Sequence, residues 1–539
     1  MDILIKQYNY LKSCLNEEGQ LIDKKLKSPL NFQYHYSSFI LSSILLKKYE
    51  NIEKVLNYYL SIPKEIMKPS NDFNVMLLSY AMIYDKKNIL DKNRILKTFY
   101  HNSDNELYKL NNNFKALRLV GMILESKLKN GEFNEKIKKE IEWILDIQFD
   151  DGFFPDSNME YKIEKNKGIP HLTYHTKIMM CVGLAYLYTK DERLKKSFFR
   201  ALKVLLEVSI DNYYFFYGRS TNALFGYGSL YLAFILAYKF SNNKLFLHKA
   251  DSLLKFLKNY QHKDGHISIN LNKDDSKRYG FDGYMYDIVY NAYSNALFLL
   301  GNKFLEELEI ENSNFKLDNS KIRIYKNSGF VVYENNNIKY CFNCKGHQNS
   351  LKHRFDSRVS PLSLLYYSKD NKNILSAVGY YPQPILKLVE NKLTIPRIYQ
   401  RIKNIIYRIK YKNYLPLLSG NSFCYKKNGI YFYPYELIKM IKIFDTIILK
   451  FKTKSIKEDV FDKCVVSIKL QSYITYKVIF YDEIEKMIYT TEYSQIEFDN
   501  DYFKNSSIPI ETSIGISDLR IYEFQNIKYL LVLVNIKDT

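Results

Sequence analysis

The sequence predicts a two-part chain: an N-terminal (α/α) toroid of helical hairpins over residues 1–314, followed by a C-terminal antiparallel β-sandwich over 315–539. Three observations predict it. Apolar residues recur at helical spacing through the first part. An acidic residue followed by Gly repeats where three of those helices end. Beyond 315 the pattern changes to strict alternation broken by Asn and Gly turns.

The helical part reads in order as Phe39–Tyr49, Phe73–Tyr84, Phe114–Leu128, Ile137–Ile147, Lys177–Tyr188, Lys195–Val208, Leu224–Phe240, Lys244–Tyr260 and Ile288–Leu300. With weaker segments these make roughly twelve helices, which pair into hairpins. The repeat is Leu15-NEEGQLID, Ile147-QFDDGFFPDS and Tyr260-QHKDGHISIN. Each follows a helix, turns at a Gly that supplies backbone angles a β-carbon resists, and leaves as a short extended piece. Evenly recurring pairs with such turns on one face suit a toroid whose inner helices converge on a cleft. The second part begins with Lys321-IRIYKNSGFVVYENNNIKYCFNCKG and continues in the runs at Gly429, Thr446, Cys464, Tyr476 and Tyr529. One segment differs: Pro396-RIYQRIKNIIYRIKYK sets four Ile on one helical face and carries no acid. It predicts a basic amphipathic insertion near 396–412, which either packs on the sandwich or touches an anionic membrane surface.

Composition narrows the function. The chain is 46% hydrophobic and 25% charged, a globular balance. Its 50 Tyr and 34 Phe against one Trp suit a glycan binder, although a skewed overall composition gives the same excess. The net charge of +21 favours a polyanionic partner. No zinc-finger spacing, RNA-binding signature or P-loop occurs, so nucleic acid is not expected. The first residues, MDILIKQYNYLKS, read as a helix start and not an export signal, and no run of about eighteen apolar residues is present. The expected compartment is cytoplasmic. Of six Cys only Cys341 and Cys344 form a CxxC pair, which predicts strand-borne or buried thiols and no metal site.

Three constellations carry chemistry. Ile169-PHLTYHTK gathers His171, Tyr174, His175 and Lys177 just after an Asp-Gly turn. An imidazole and a phenol at the mouth of an inner helix suit proton transfer. Tyr217-GRSTNALFGYG opens another helix with Arg219 and Asn222, and puts Tyr227 between two glycines. Arg clamps a carboxylate in two-pronged fashion, and a helix N-terminus favours an anion. Gly280-FDGYMYDIVYNAYSNA offers Tyr284 and Tyr290 as cleft-lining aromatics.

The run Asn111-NNFKALRLVGMIL resembles the Asn-Asn-His helix of the heparinase II/III-like polysaccharide lyases. Gln148-FDDGFFPDS…TYHTK is similar to their Gln…Asp-Gly…Glu…Tyr-His segment, and Lys345-GHQNSLKHRFDSRVSPLSLLYY resembles their β-domain strand. The resemblance implies that Asn113 neutralises a uronate carboxylate, that Tyr174 is the catalytic phenol with His175 beside it, and that His353 comes from the β-domain. Phe114 stands where the family has His, and Leu172-Thr173 where it has Ser-Pro. The reading is therefore a lyase cleaving an acidic, uronate-containing glycan by β-elimination. Asn113 and Arg219 neutralise charge, Tyr174, His175 and His353 supply the base, and Tyr174 or Tyr227 the acid. His171, Asn222, Tyr284 and Tyr290 bind substrate, and no cofactor is expected, with a divalent metal in the β-sandwich as the alternative. The Gly-Arg-Ser run also resembles a neighbouring toroid family that includes glucuronidases, so a hydrolase with two carboxylates is the alternative. A non-catalytic glycan-binding protein of polymer assembly is the third.

Overall fold

The computed structural model describes residues 1–24, 27–99, 111–131, 133–156, 172–209, 223–269, 286–318, 320, 322–325, 327–335 and 338–343, and beyond these the backbone of the strands named below. In chain order the helices are α1 (Asp2–Ser13), α2 (His35–Leu45), α3 (Ile52–Ser61), α4 (Lys64–Met67), α5 (Asn71–Tyr84), α6 (Lys92–Leu96), α7 (Asn112–Leu128), α8 (Glu135–Asp146), α9 (Leu172–Thr189), α10 (Glu192–Val208), α11 (Ala223–Ser241), α12 (Lys244–Lys258) and α13 (Asp287–Glu307).

Six of them close a ring. α2 packs on α5, α5 on α7, α7 on α9, α9 on α11, α11 on α13, and α13 returns to α2. The remaining long helices lie outside: α1 against α13, α3 against α2, α8 against α7, α10 against α9 and α12 against α11. This is an (α/α) toroid, and amphipathicity sorts its helices. α8 buries only Ile137, Ile141 and Ile144 on one stripe, with Lys and Glu elsewhere. α9 buries every residue from Leu172 to Tyr186 except Tyr174, as a helix enclosed on all sides must.

The turns explain the alternation. Inner helices pass to outer ones through short links that include Lys47, Asn88, Asn130, Lys190 and Asn242, each with positive φ. Asp91, Asn134, Asp191 and Asn243 then cap α6, α8, α10 and α12 by accepting a backbone N–H. The outer-to-inner links carry the acidic-Gly repeat, which the structure confirms as a repeat. Gly19, Gly152 and Gly265 have φ of +86°, +93° and +98°. A β-carbon on them would stand 2.6, 2.7 and 2.2 Å from the carbonyl oxygens of Lys54, Arg200 and Lys6. Each turn is thus pressed on the backbone of the next outer helix.

The strands are β1 (Ile322–Ile324), β2 (Phe330–Asn335), β3 (Ile338–Asn343), β4 (Ser363–Lys369), β5 (Lys372–Leu375), β6 (Tyr425–Lys427), β7 (Ile430–Phe432), β8 (Tyr435–Ile443), β9 (Thr446–Thr453), β10 (Lys463–Ile468), β11 (Tyr476–Asp482), β12 (Met487–Tyr493), β13 (Ser507–Thr512), β14 (Gly515–Gln525) and β15 (Tyr529–Asn535). β1 to β5 pair in sequence order, β12-β11-β15-β9-β8 form a second five-stranded sheet, and β10-β14-β13 a third. All the pairings are antiparallel, as the alternation predicts. The side chains that would pack one sheet on another, and the basic segment 396–412, lie outside the described residues.

The first hairpin docks on the toroid. Glu207 of α10 accepts from the Tyr325 hydroxyl and from the Asp318 backbone N–H at 2.7 Å, and the Arg323 guanidinium lies 3.8 Å away. Asp151 accepts from the backbone N–H groups of Asn327 and Ser328 and from the Ser328 hydroxyl, at 3.0, 2.7 and 2.9 Å. Cys14, Cys181 and Cys341 are buried free thiols. Among the described residues no helix is long and apolar enough to cross a membrane.

Candidate active site at one end of the ring

The N-terminal ends of the six inner helices meet. Tyr34, which precedes α2, stacks on Phe73 of α5 with centroids 3.8 Å apart, and both rings meet Tyr293 of α13 edge-on. Phe73 also meets Phe114 of α7 and Phe225 of α11. Phe225 in turn contacts Tyr290 and Tyr293 at 5.6 and 5.3 Å. Four inner helices and the residue before α2 thus contribute aromatic rings to one cluster, and α9 inserts a cation into it.

That cation is Lys177. Its Nζ lies 3.8 Å from the Phe73 ring centroid, 5.0 Å from Phe114 and 5.4 Å from Phe225. Such faces attract a cation but do not hydrate it. Nζ donates to Asn113 Oδ1 at 2.7 Å, and Asn113 Nδ2 donates to Asp156 Oδ1. Asn112 fixes the same loop, taking its backbone N–H to the Asp156 carbonyl at 2.6 Å and its side-chain amide to the Pro155 carbonyl at 2.7 Å. Burial pushes the Lys177 amine down to about 7, against the opposing pull of Cys181, Asp156 and Asp72. Tyr174 lies one turn before Lys177 on the same helical face and is half-buried, the exception between Leu172 and Tyr186.

Two expected site residues are placed elsewhere. His175 is fully buried. Its Nδ1 accepts the Phe154 backbone N–H and its Nε2 donates to the Ala201 carbonyl, both at 3.0 Å, while its ring stacks on Phe153 at 4.4 Å. With both nitrogens committed and burial holding the imidazole down to about 4, it is a core fastening and not a base in the cleft. The equivalent turn repeats the device: Asn291 Oδ1 accepts the Ile267 N–H at 2.8 Å, and Ile267, like Phe154, stands two residues after the turn Gly. Tyr227 is also fully buried, and its ring faces Phe256 of the outer helix α12 at 5.9 Å, away from the ring centre. It fills the core between the two helix layers.

Asn113, Tyr174 and Tyr290 are brought to the same end of the toroid. His171, Arg219, Asn222, Tyr284 and His353 lie outside the described residues. Among the described residues no group of three or more His, Cys, Asp or Glu side chains is placed to hold a metal ion. Sequence reasoning named Lys177 without giving it a role, and passed over Asp72, Phe73 and Phe225. The signal for Lys177 was present: it is the only charged residue in the 18-residue α9.

No protein-family model matches the chain, and no curated protein matches it. Several solved structures do. A sugar epimerase from a ruminal bacterium is 12% identical, with 56% of this chain and 99% of that chain covered and a TM-score of 0.39. A glycosyl hydrolase family 88 protein from Bacteroides vulgatus is 10% identical over 56% and 99%, with a TM-score of 0.39. A polysaccharide lyase is 12% identical over 57% and 97%, also with a TM-score of 0.39. Likeness of this degree transfers no chemistry to this chain, whose ring is read from its own helices.

Proposed function

We propose that the ring-end cluster is the active site of a glycan-processing enzyme, and that its reaction is β-elimination from a uronate-containing polysaccharide or oligosaccharide. One observation carries the reading. The two residues that the lyase resemblance assigns to charge neutralisation and proton transfer, Asn113 and Tyr174, sit at the same end of adjacent inner helices, and Lys177, one turn below Tyr174, bonds directly to Asn113.

Elimination removes the proton on the carbon beside the carboxylate and expels the oxygen on the next carbon. Charge building on the carboxylate must be met by donors already in place. Asn113 has one amide N–H engaged by Asp156, and its second is the donor assigned to the carboxylate. Tyr174, as the phenolate, takes the proton from the carbon beside the carboxylate and, as the phenol so formed, gives it to the departing oxygen, so that the side chain ends as it began. Arg219, expected from its place at a helix opening, and His353, expected from the resemblance, remain further partners. The net charge of +21 supports an anionic substrate.

A hydrolase needs two open carboxylates across the scissile bond. Asp151 is held by Ser328, Asp156 by Asn113, and Asp287 by Tyr10 at 2.5 Å and Asn291 at 3.1 Å. Glu160 and Asp282, the other carboxylates available to a hydrolase, lie outside the described residues. The test is a panel of uronate-containing glycans assayed in parallel for near-ultraviolet absorbance, reducing ends and binding. Absorbance that grows with turnover supports the lyase. Reducing ends without absorbance give a hydrolase, and binding without either product gives a non-catalytic glycan binder.

A further inference from the structure

An asparagine amide has two ends of nearly equal size and opposite hydrogen-bonding character, so its neighbours decide which way it faces. Asn113 stands between a side chain that can only donate, Lys177, and a carboxylate, Asp156. Its Oδ1 must face Lys177 and its Nδ2 must face Asp156.

The surroundings of Lys177 make this more than packing. Among the described residues its one hydrogen bond goes to Asn113; its other close neighbours are the faces of Phe73, Phe114 and Phe225. The charged and titratable groups facing it are Asp72 from α5, Asp156 from the turn before α9 and Cys181 from its own helix. From α7 and α11 it meets Asn113, Phe114 and Phe225, which do not titrate, and Tyr34 and Tyr293 stand one ring further out beyond Phe73. A methionine would fill this apolar space at lower cost than a desolvated amine. The protein nonetheless keeps a cation there.

We propose that Lys177 is a positioning residue, whose ammonium group locks the Asn113 amide so that its free N–H is presented to the substrate carboxylate. The proposal rests on reading Asn113 and Tyr174 as the reacting end. It predicts a lock that is closed when Lys177 is protonated and released when it is not. Because burial holds the amine down to about 7, the lock opens as pH rises through neutrality.

The experiment uses the full chain without substrate, so it stands even if no uronate glycan is turned over. Asparagine side-chain amides are isotope-labelled, and the Asn113 signal is identified by its loss in Asn113→Ala. In the wild type that signal shifts with pH around neutrality, and in Lys177→Met it stays flat. Lys177→Met also melts at or above the wild-type temperature on the acid side, because it removes a desolvated charge. If Lys177→Met does not fold, Lys177→Gln, which keeps a donor without a charge, replaces it and gives the same flat signal. A wild-type signal that ignores pH, or a Met or Gln variant that titrates like the wild type, overturns the proposal. So does a Met variant that folds but melts several degrees lower in acid, which makes Lys177 a structural residue. With a turned-over glycan in hand, Lys177→Met loses about tenfold or more of kcat, together with the alkaline limb of the wild-type pH profile.

Discussion

Ser328 holds Asp151 by two hydrogen bonds to one carboxylate oxygen, from its backbone N–H at 2.7 Å and its hydroxyl at 2.9 Å. Asp151 belongs to the Asp-Gly turn, and five residues on lies Asp156, which holds Asn113. Between them Phe153 contacts Phe330 of β2 on one side and stacks on His175 on the other. The first hairpin of the strand part thus braces the loop that sets the site amide. Asp151→Ala leaves those donors without their acceptor and is expected to cost about 2 kcal/mol. Thermal or denaturant unfolding measures it, and Ser328→Ala, which removes only the hydroxyl, costs about half as much.

The three acidic-Gly turns are predicted to be intolerant of any side chain. Gly152→Ala and Gly265→Ala force a β-carbon toward backbone carbonyls that cannot retreat, at φ values an L-residue rarely takes. Each is expected to cost about 2 kcal/mol or more. Gly131→Ala is the control: its β-carbon would come no nearer than 3.4 Å to the Ser126 hydroxyl. Equal unfolding midpoints for Gly131→Ala and Gly152→Ala would remove the close-approach argument.

Acid sensitivity follows from His175 and His35. Both are buried neutral, with the imidazole held down to about 4 and about 3 from an ordinary 6.5. The unfolded chain therefore binds more protons than the fold in the window below 6.5. Stability is level above that value and falls as pH drops from 6.5 toward 4, by about 3 kcal/mol for His175 alone. The urea midpoint measured across this window should fall steeply in the wild type. In His175→Gln, which removes one titrating group, it falls less steeply.

His175 and Tyr174 are neighbours in sequence with unequal expected effects. His175→Ala removes two hydrogen bonds to buried backbone and a stacked ring, and should lower the melting temperature strongly. Tyr174→Phe changes one hydroxyl of a half-buried residue and should lower the melting temperature far less. Paired melting curves of the two variants check the assignment of roles before any substrate is known.

Much of the fold was legible because its demands are local. Outer helices such as α8 announce themselves by one apolar stripe, and Gly19, Gly152 and Gly265 by the turn that only glycine fills easily. The inner helices gave up their existence but not their faces, because a helix apolar all round has no stripe to read. That is why Tyr227 and Tyr290 looked alike in sequence. One points outward to Phe256 and the other to Phe225 at the ring end. Asn113 is reached only through the family resemblance, and Tyr174 also from the helix start it occupies. Lys177 could not be assigned, since a lone lysine reads as a side chain reaching for solvent until three phenylalanines from three other helices are seen around it.

The most direct measurement is near-ultraviolet absorbance while the wild type and Tyr174→Phe act on uronate-containing glycans. The account predicts that the wild type generates an absorbing, unsaturated product from at least one of them, and that Tyr174→Phe, equally folded, generates it at a small fraction of that rate. Full activity in Tyr174→Phe, or chain cleavage by the wild type without any absorbing product, would contradict it.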